Sequence, residues 1–287
     1  MAAHPSNVPV GILVAERASR ADVLEQFGID YCCGGKLSIR WFCDTQGLDL
    51  EAVLTALEAS DRLPAPTRTR DWNQAPLSEL IAHVVSTHHA HLRTTLPRLG
   101  DLLALVAATH AMAQPELTEL VGVYADFQSE MQAHMDQEEQ VVFPLIIRLE
   151  RGLEDRALGE RFLTQQLARM DAEHQEAGKD LERMSRLTQG FTPPRDACDS
   201  HRALLVGLFE LVADTHRHVH KENSILFPRA AALVGRGPRK PPARAGASPN
   251  RGPIVFPEKC PLDPTRDEAT RAMTHRGGLV SARAELH

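Results

Sequence analysis

His134-Met-Asp-Gln-Glu138-Glu-Gln-Val-Val-Phe143-Pro144 and His218-Val-His-Lys-Glu222-Asn-Ser-Ile-Leu-Phe227-Pro228 share one pattern, H-x3-E-x4-F-P. On an α-helix, residues i and i+4 lie one turn apart on one face, so each segment aims an imidazole and a carboxylate at a single locus. A lone H-x3-E is more often a solvated pair than a ligand set. Two copies with the same Phe-Pro tail reverse that weighting and predict a metal site.

Working outward, residues 77–233 read as four long helices, roughly 77–111, 115–149, 156–188 and 197–233. They are separated by the breakers Gln114-Pro115, Arg151-Gly152 and Gly190-Phe191-Thr192-Pro193-Pro194. Strand signals are nearly absent, and short joins favour antiparallel neighbours, so an all-α, up-down-up-down four-helix bundle is expected. The repeated segments fall on the second and fourth passes, diagonal across the bundle axis. The first pass supplies His88-His89-Ala-His91 and the third supplies Glu173-His174-Gln-Glu176. Taking His89, His134, His174 and His218, the separations are 45, 40 and 44 residues, as a chain requires to return to one level after each reversal. Spacing alone does not choose among the neighbouring histidines of the first pass.

Two carboxylates on opposite helices suit the bridging of two cations, and imidazoles at the outer positions favour iron or another first-row metal over calcium or magnesium. Zinc and manganese fit the same ligand types. Six protein ligands leave room for an oxo or hydroxo bridge and for exogenous oxygen species or nitric oxide. The Phe-Pro pairs are expected to pack and to kink the helices locally, marking the fold more than the chemistry. His83, His88, His91, His110, His201, His216 and His220 are expected on the surface or behind the ligands. Glu130, one turn before His134, and Glu173, beside His174, are candidates to orient ligands or relay protons, or else ordinary acids of a helix surface.

Residues 8–60 suggest two or more short amphipathic helices, too few for a comfortable independent core, and Pro64, Pro66 and Pro76 mark a linker at 61–76. Eight prolines among residues 238–287 predict a disordered tail. The body, residues 1–237, carries 23 Lys+Arg against 33 Asp+Glu, and the tail 9 against 5, so an acidic body bears a basic extension. Two Tyr and two Trp leave few aromatics for stacking bases, so a nucleic-acid partner is not favoured. The opening residues lack a secretory pattern and no apolar run approaches the roughly 18 residues of a membrane span, which predicts a cytoplasmic protein. Five cysteines, Cys32, Cys33, Cys43, Cys198 and Cys260, are an odd and sparse set expected to be reduced.

The paired H-x3-E-x4-F-P segments resemble the hemerythrin-like fold. Asp30-Tyr31-Cys32-Cys33-Gly34-Gly35 in a small N-terminal domain is similar to the hallmark of the iron-sulfur cluster repair di-iron proteins, the repair of iron centres family. Glu173-His174-Gln175-Glu176-Ala177-Gly178 and Leu226-Phe227-Pro228-Arg229-Ala230 resemble the same family, and coverage is about residues 8–233. The resemblance implies two iron ions held by His89, His134, Glu138, His174, His218 and Glu222, with both glutamates bridging, and it is what selects His89. It implies a cytoplasmic homodimer that restores iron-sulfur proteins after nitrosative or oxidative damage, by iron donation or by nitric oxide reduction. The basic tail with Cys260 departs from the family pattern.

Cys32 and Cys33 have two readings: small thiols packed at a helix end with Gly34 as a left-handed stop, or a pair for iron, nitrosyl or redox transfer. Adjacent cysteines bridge only with strain, so a structural disulfide is not expected. A rival function is an oxygen or nitric oxide carrier or sensor without catalysis, against which the cysteine pair argues. A third is a metal-free helical interaction protein.

Overall fold

The computed structural model describes residues 5–62, 70–153 and 156–234, so the tail with Cys260 and residues 63–69 of the Pro-rich linker lie outside the described residues. Four short helices come first: α1 (Val10–Glu16), α2 (Arg20–Gln26), α3 (Ile39–Gln46) and α4 (Leu50–Arg62). Ser38 begins α3 by accepting the Trp41 N–H on its hydroxyl at 3.3 Å, and Gly47 ends it in the left-handed region at φ 71°, where a Cβ would be strained. Val10, Leu24, Ile39, Phe42 and Val53 close a small core of their own.

Four passes of helix follow. The first is α5 (Leu77–His83), a π turn at Val84–His89, and α6 (Ala90–His110). The second is α7 (Glu116–Gln137), a π turn at Glu138–Val142, and α8 (Phe143–Glu150). The third is α9 (Arg156–Leu187), and the fourth is α10 (Asp199–His220), a π turn at Lys221–Leu226, and α11 (Phe227–Val234). The first pass packs on the second and fourth, and the third on the second and on α11, which is the expected antiparallel ring. Among the described residues there is no strand, only an isolated bridge between Pro9 and Ser38.

Two apolar clusters divide the bundle lengthwise. Leu96, Leu99, Tyr124, Phe127, Leu181, Leu204 and Leu208 fill one end. Leu80, Val84, Ile146, Leu163, Met170, Leu226 and Ala230 fill the other. The buried polar residues His89, His134, Glu138, His174, His218 and Glu222 lie between these clusters in each pass, a placement that would be costly for unpaired charges. The open end is pinned by Glu150, whose carboxylate accepts the Leu77 and Ser78 N–H groups at 2.6 and 3.0 Å and so caps α5 from α8.

The N-terminal helices pack directly on this bundle. A Cβ on Gly11 would lie 2.5 Å from Ser224 Oγ, so α1 approaches the π turn of the fourth pass as closely as only glycine permits. Tyr31 sets its ring edge against His220 and His216, with centroids 5.4 and 6.2 Å away. These two histidines, with His88 and His201, are buried; none of the four is a surface group. Nor do the cysteines sit at a left-handed helix stop, because Gly34 has no positive φ. Gly34 and Gly35 serve close approach instead, since a Cβ on either would lie 2.7 and 2.5 Å from the Asp30 and Tyr31 carbonyl oxygens.

Candidate metal centre

Helical repeat brings the two H-x3-E segments to one level, and the π turns then shape them. The Phe143 N–H bonds the Glu138 carbonyl and the Phe227 N–H bonds the Glu222 carbonyl, each five residues back; the Ala90 N–H bonds Val85 in the same way. A proline one residue further on has no N–H and crowds the preceding turn, so the wider turn accommodates Pro144 and Pro228 where a tight helix would clash. The expected kink is therefore a π turn. The phenylalanines do more than mark the fold: Phe143 stacks on His89 at 5.7 Å and Phe227 on His174 at 6.1 Å.

The six side chains named from the sequence converge in two overlapping groups, His89-Glu138-His218-Glu222 and His134-Glu138-His174-Glu222, all buried. Glu138 Oε2 lies 3.3 Å from His89 Nε2 and 3.5 Å from His134 Nε2. Glu222 divides its oxygens, Oε1 at 2.9 Å from His218 Nε2 and Oε2 at 3.2 Å from His174 Nε2. Each carboxylate thus faces both groups.

Within a group the imidazoles meet through like atoms, His89 Nε2 with His218 Nε2 at 3.1 Å and His134 Nε2 with His174 Nε2 at 3.0 Å. Metal–imidazole bonds of about 2.1 Å place two nitrogens about 3.0 Å apart at a right angle and about 3.4 Å apart at the tetrahedral angle. The observed spacing is the right-angled one. Both oxygens of Glu138 and Oε2 of Glu222 are fully buried without a hydrogen bond. Such orphaned carboxylate oxygens are costly unless a cation takes them up, and the donor set fits two of them.

Three ligand-type imidazoles are oriented from behind. His89 Nδ1–H donates to Glu139 at 2.8 Å, His134 Nδ1–H to Glu173 at 2.8 Å, and His174 Nδ1–H to Asn223 Oδ1 at 3.0 Å. Each bond fixes the tautomer that leaves Nε2 as a lone-pair donor. Glu139 and Asn223 escape a reading of the sequence, being an acid among many and an amide with no motif of its own. Glu173 is found where one of its readings put it, but hydrogen bonds from His134, outweighing burial, hold its carboxyl at about 2, so it acts as an acceptor and not as a proton source. Glu130 is exposed and is not brought to the site; its charge falls instead on Asp180, whose carboxyl burial and neighbouring acids push up to about 6.

Burial lowers the basicity of His89 and His174, yet Glu138 and Glu222 outweigh it and raise His89 to about 10, while Glu222 raises His174 to about 9. His218 moves the other way, because burial prevails over its bond to Glu222. Burial favours the neutral form of Glu222 as well, but the charge of His218 and the bonds from His174, His218 and His89 hold its carboxyl well below the usual range. The centre is thus a strong trap for positive charge.

The cysteine pair abuts one side of it. Cys33 Sγ–H donates to the His174 backbone carbonyl at 3.0 Å, Cys32 Sγ lies 3.1 Å from Asp30 Oδ1, and the sulfurs are 3.7 Å apart and not bridged. Asp30 organises the loop by accepting the Cys32, Cys33 and Gly34 N–H groups. Gln175 and Asn223 donate to the Cys33 and Cys32 carbonyls, so the residue that orients His174 also holds the cysteine loop. Burial pushes the Cys32 thiol well above its usual range, which keeps it protonated until a metal or base draws the proton off.

The hemerythrin HHE cation binding domain matches residues 80–230, and a domain of unknown function, DUF542 or ScdA_N, matches residues 6–61. The iron-sulfur cluster repair protein YtfE of Yersinia pseudotuberculosis serotype IB (strain PB1/+) is 35% identical over 227 residues, 78% of this chain and 96% of its own. YtfE of Yersinia pestis (strain Pestoides F) is 34% identical over the same shares. The chain belongs to the iron-sulfur cluster repair family. Its bundle is hemerythrin-like, its two His/Glu groups could each hold a metal ion, and a role in repair follows from the relationship. No helix of the described residues is long and apolar enough to cross a membrane.

Proposed function

We propose that the chain holds two iron ions through His89, His134, Glu138, His174, His218 and Glu222 and uses them to restore iron-sulfur clusters damaged by nitrosative or oxidative stress. The observation that carries this reading is the pair of fully buried carboxylates, each facing two imidazole pairs and lacking hydrogen bonds of its own at Glu138 and at Glu222 Oε2. The Nε2 pairs at 3.0 and 3.1 Å are close enough for each to hold one cation, and the imidazole-carboxylate set suits iron among the first-row metals.

When bound, the irons supply either the metal for a broken cluster or the two electrons that, with two protons, turn two nitric oxide molecules into nitrous oxide and water. The chain's own residues set the conditions. Glu138 and Glu222 offset the charge of two cations, and Phe143 and Phe227 wall the rings on which they stack. Glu139, Glu173 and Asn223 hold three imidazoles with Nε2 free. Cys32 and Cys33, packed on the carbonyl of His174, give a soft-ligand path from that side of the centre toward a client protein. Partners are accordingly damaged iron-sulfur proteins and nitric oxide or oxygen species, and the working form is a cytoplasmic homodimer.

Metal analysis with Mössbauer spectroscopy on anaerobic wild type and His134→Ala tests the centre: about two irons per chain and a loss confined to one of them are expected. Well under two metals in the wild type sinks the proposal. Recovery of a damaged aconitase-type cluster, faster with wild type than with the Cys32→Ser, Cys33→Ser double variant, tests the repair role. Two bound irons without any such recovery would leave an oxygen or nitric oxide carrier.

A further inference from the structure

Three of the four site imidazoles have an oxygen on Nδ1, and the fourth, His218, has none among the described residues. His218 meets His89 and Glu222 through Nε2, so as a ligand it carries its proton on Nδ1. A buried N–H with no acceptor is costly, because it has given up water for nothing. One turn earlier on α10, at the i,i+4 spacing that brings side chains together, stands Asp214, whose Oδ2 is likewise buried without a partner.

Its surroundings are built to hold it. Asp214 Oδ1 accepts from His88 Nδ1–H at 2.9 Å, which leaves His88 Nε2 to accept from the Lys221 ammonium at 3.1 Å. The His88 ring lies parallel to that of His218, 8° apart in plane with centroids at 5.8 Å. Every donor in this chain of contacts points toward Asp214, from Lys221 through His88, and its second oxygen remains for one more.

We propose that Asp214 is the oxygen partner of His218 Nδ1 through one bridging water, and so the positioning residue for the cation between His89 and His218. The inference rests on the metal-binding reading above and adds the one member of the outer ligand set that direct hydrogen bonds do not disclose. Asp214 does not touch the metal; it acts through His218.

Cobalt(II) loaded into the full chain provides the test, because each ligating imidazole gives a hyperfine-shifted, exchangeable N–H proton signal. Four such signals are expected in the wild type. Asp214→Ala should lose one to solvent exchange and weaken one of two cobalt ions about 10–100-fold, the usual effect of removing an outer partner of a ligand. Asp214→Asn retains an oxygen acceptor and should restore most of that affinity, with a single signal displaced. Four unchanged signals in Asp214→Asn, or in Asp214→Ala together with unchanged affinities, overturn the proposal. Asn keeps the size of Asp and decides the matter even where Ala fails to fold. A wild type that takes up no cobalt would instead overturn the metal reading on which this inference stands.

Discussion

The two halves of the centre are made of the same parts and differ in what stands behind them. His134 and His174 back onto Glu173 and Asn223, and through Asn223 and the His174 carbonyl they are tied to the cysteine loop. His89 and His218 back onto Glu139 and the His88-Asp214-Lys221 chain, wholly within the first, second and fourth passes of the bundle. A near-symmetric ligand set therefore has one half whose outer hydrogen bonds stay within the bundle and one half whose outer hydrogen bonds continue into the cysteine loop.

The largest test of this contrast lies in what the halves share. Glu222→Gln removes a carboxylate common to both and should lower affinity for both ions by more than the roughly 100-fold upper range for an outer partner. His134→Ala should remove one ion and spare the other. Equilibrium metal competition reads both, and a Glu222→Gln variant that keeps two tightly held ions would break the picture of a shared bridge.

Protonation is common to the halves and separates the metal-free from the metal-loaded centre. In metal-free protein His89 at about 10 and His174 at about 9 stand above the unfolded value of 6.5. Raised histidines contribute stability fully below about 6.5, and that contribution is lost as pH rises through 9 to 10. Chelator-stripped protein should therefore lose melting temperature between pH 7 and 10. Metal-loaded protein, in which the cations replace those protons, should not follow it, and metal uptake at neutral pH should release protons. Parallel pH profiles for the two forms would refute the proton trap.

How much of this was legible in the sequence follows from how local each feature is. The four passes and the two H-x3-E pairs could be read because i,i+4 spacing and helix length are properties of a single segment, whereas His89 among three neighbouring first-pass histidines was singled out by family resemblance alone. The π turns could not, since they depend on how Pro144 and Pro228 are accommodated against the neighbouring passes. Glu173 and Glu130 looked alike, each one step from a ligand histidine, yet α9 turns Glu173 toward His134 while α7 leaves Glu130 exposed. Asn223, Glu139 and Asp214 belong to residue types too common to signal a partner across helices. The burial of His88, His216 and His220 likewise depends on what packs against them, Tyr31 and the His218 ring among others.

Packing between the domains gives a smaller effect. Gly178, one turn after His174, would place a Cβ 3.2 Å from Cys33 Sγ. Gly178→Ala must displace that thiol by a few tenths of an ångström, a strain that offsets the roughly 0.5–1 kcal/mol that Ala gains over Gly inside a helix, so net stability should change little. Because Cys33 bonds the His174 carbonyl, the change should perturb the spectrum of the His134–His174 ion and leave the other unshifted. Equal shifts at both would show that the coupling is not one-sided.

The smallest effect concerns the same junction at its surface. Lys36 Nζ meets Asp171 Oδ2 at 2.8 Å, one helical turn before His174, joining the cysteine loop to α9. Lys36 is 74% and Asp171 39% exposed, so solvent screens the pair and Lys36→Ala should cost no more than about 0.5 kcal/mol, vanishing in high salt. The loop is held instead by buried bonds from Gln175, Asn223 and Cys33. If docking depends on those bonds, amide exchange at residues 30–35 should be nearly unchanged in Lys36→Ala and clearly faster in Gln175→Ala. The reverse order would mean that a surface charge, and not the buried contacts, couples the small domain to the cysteine-side ion.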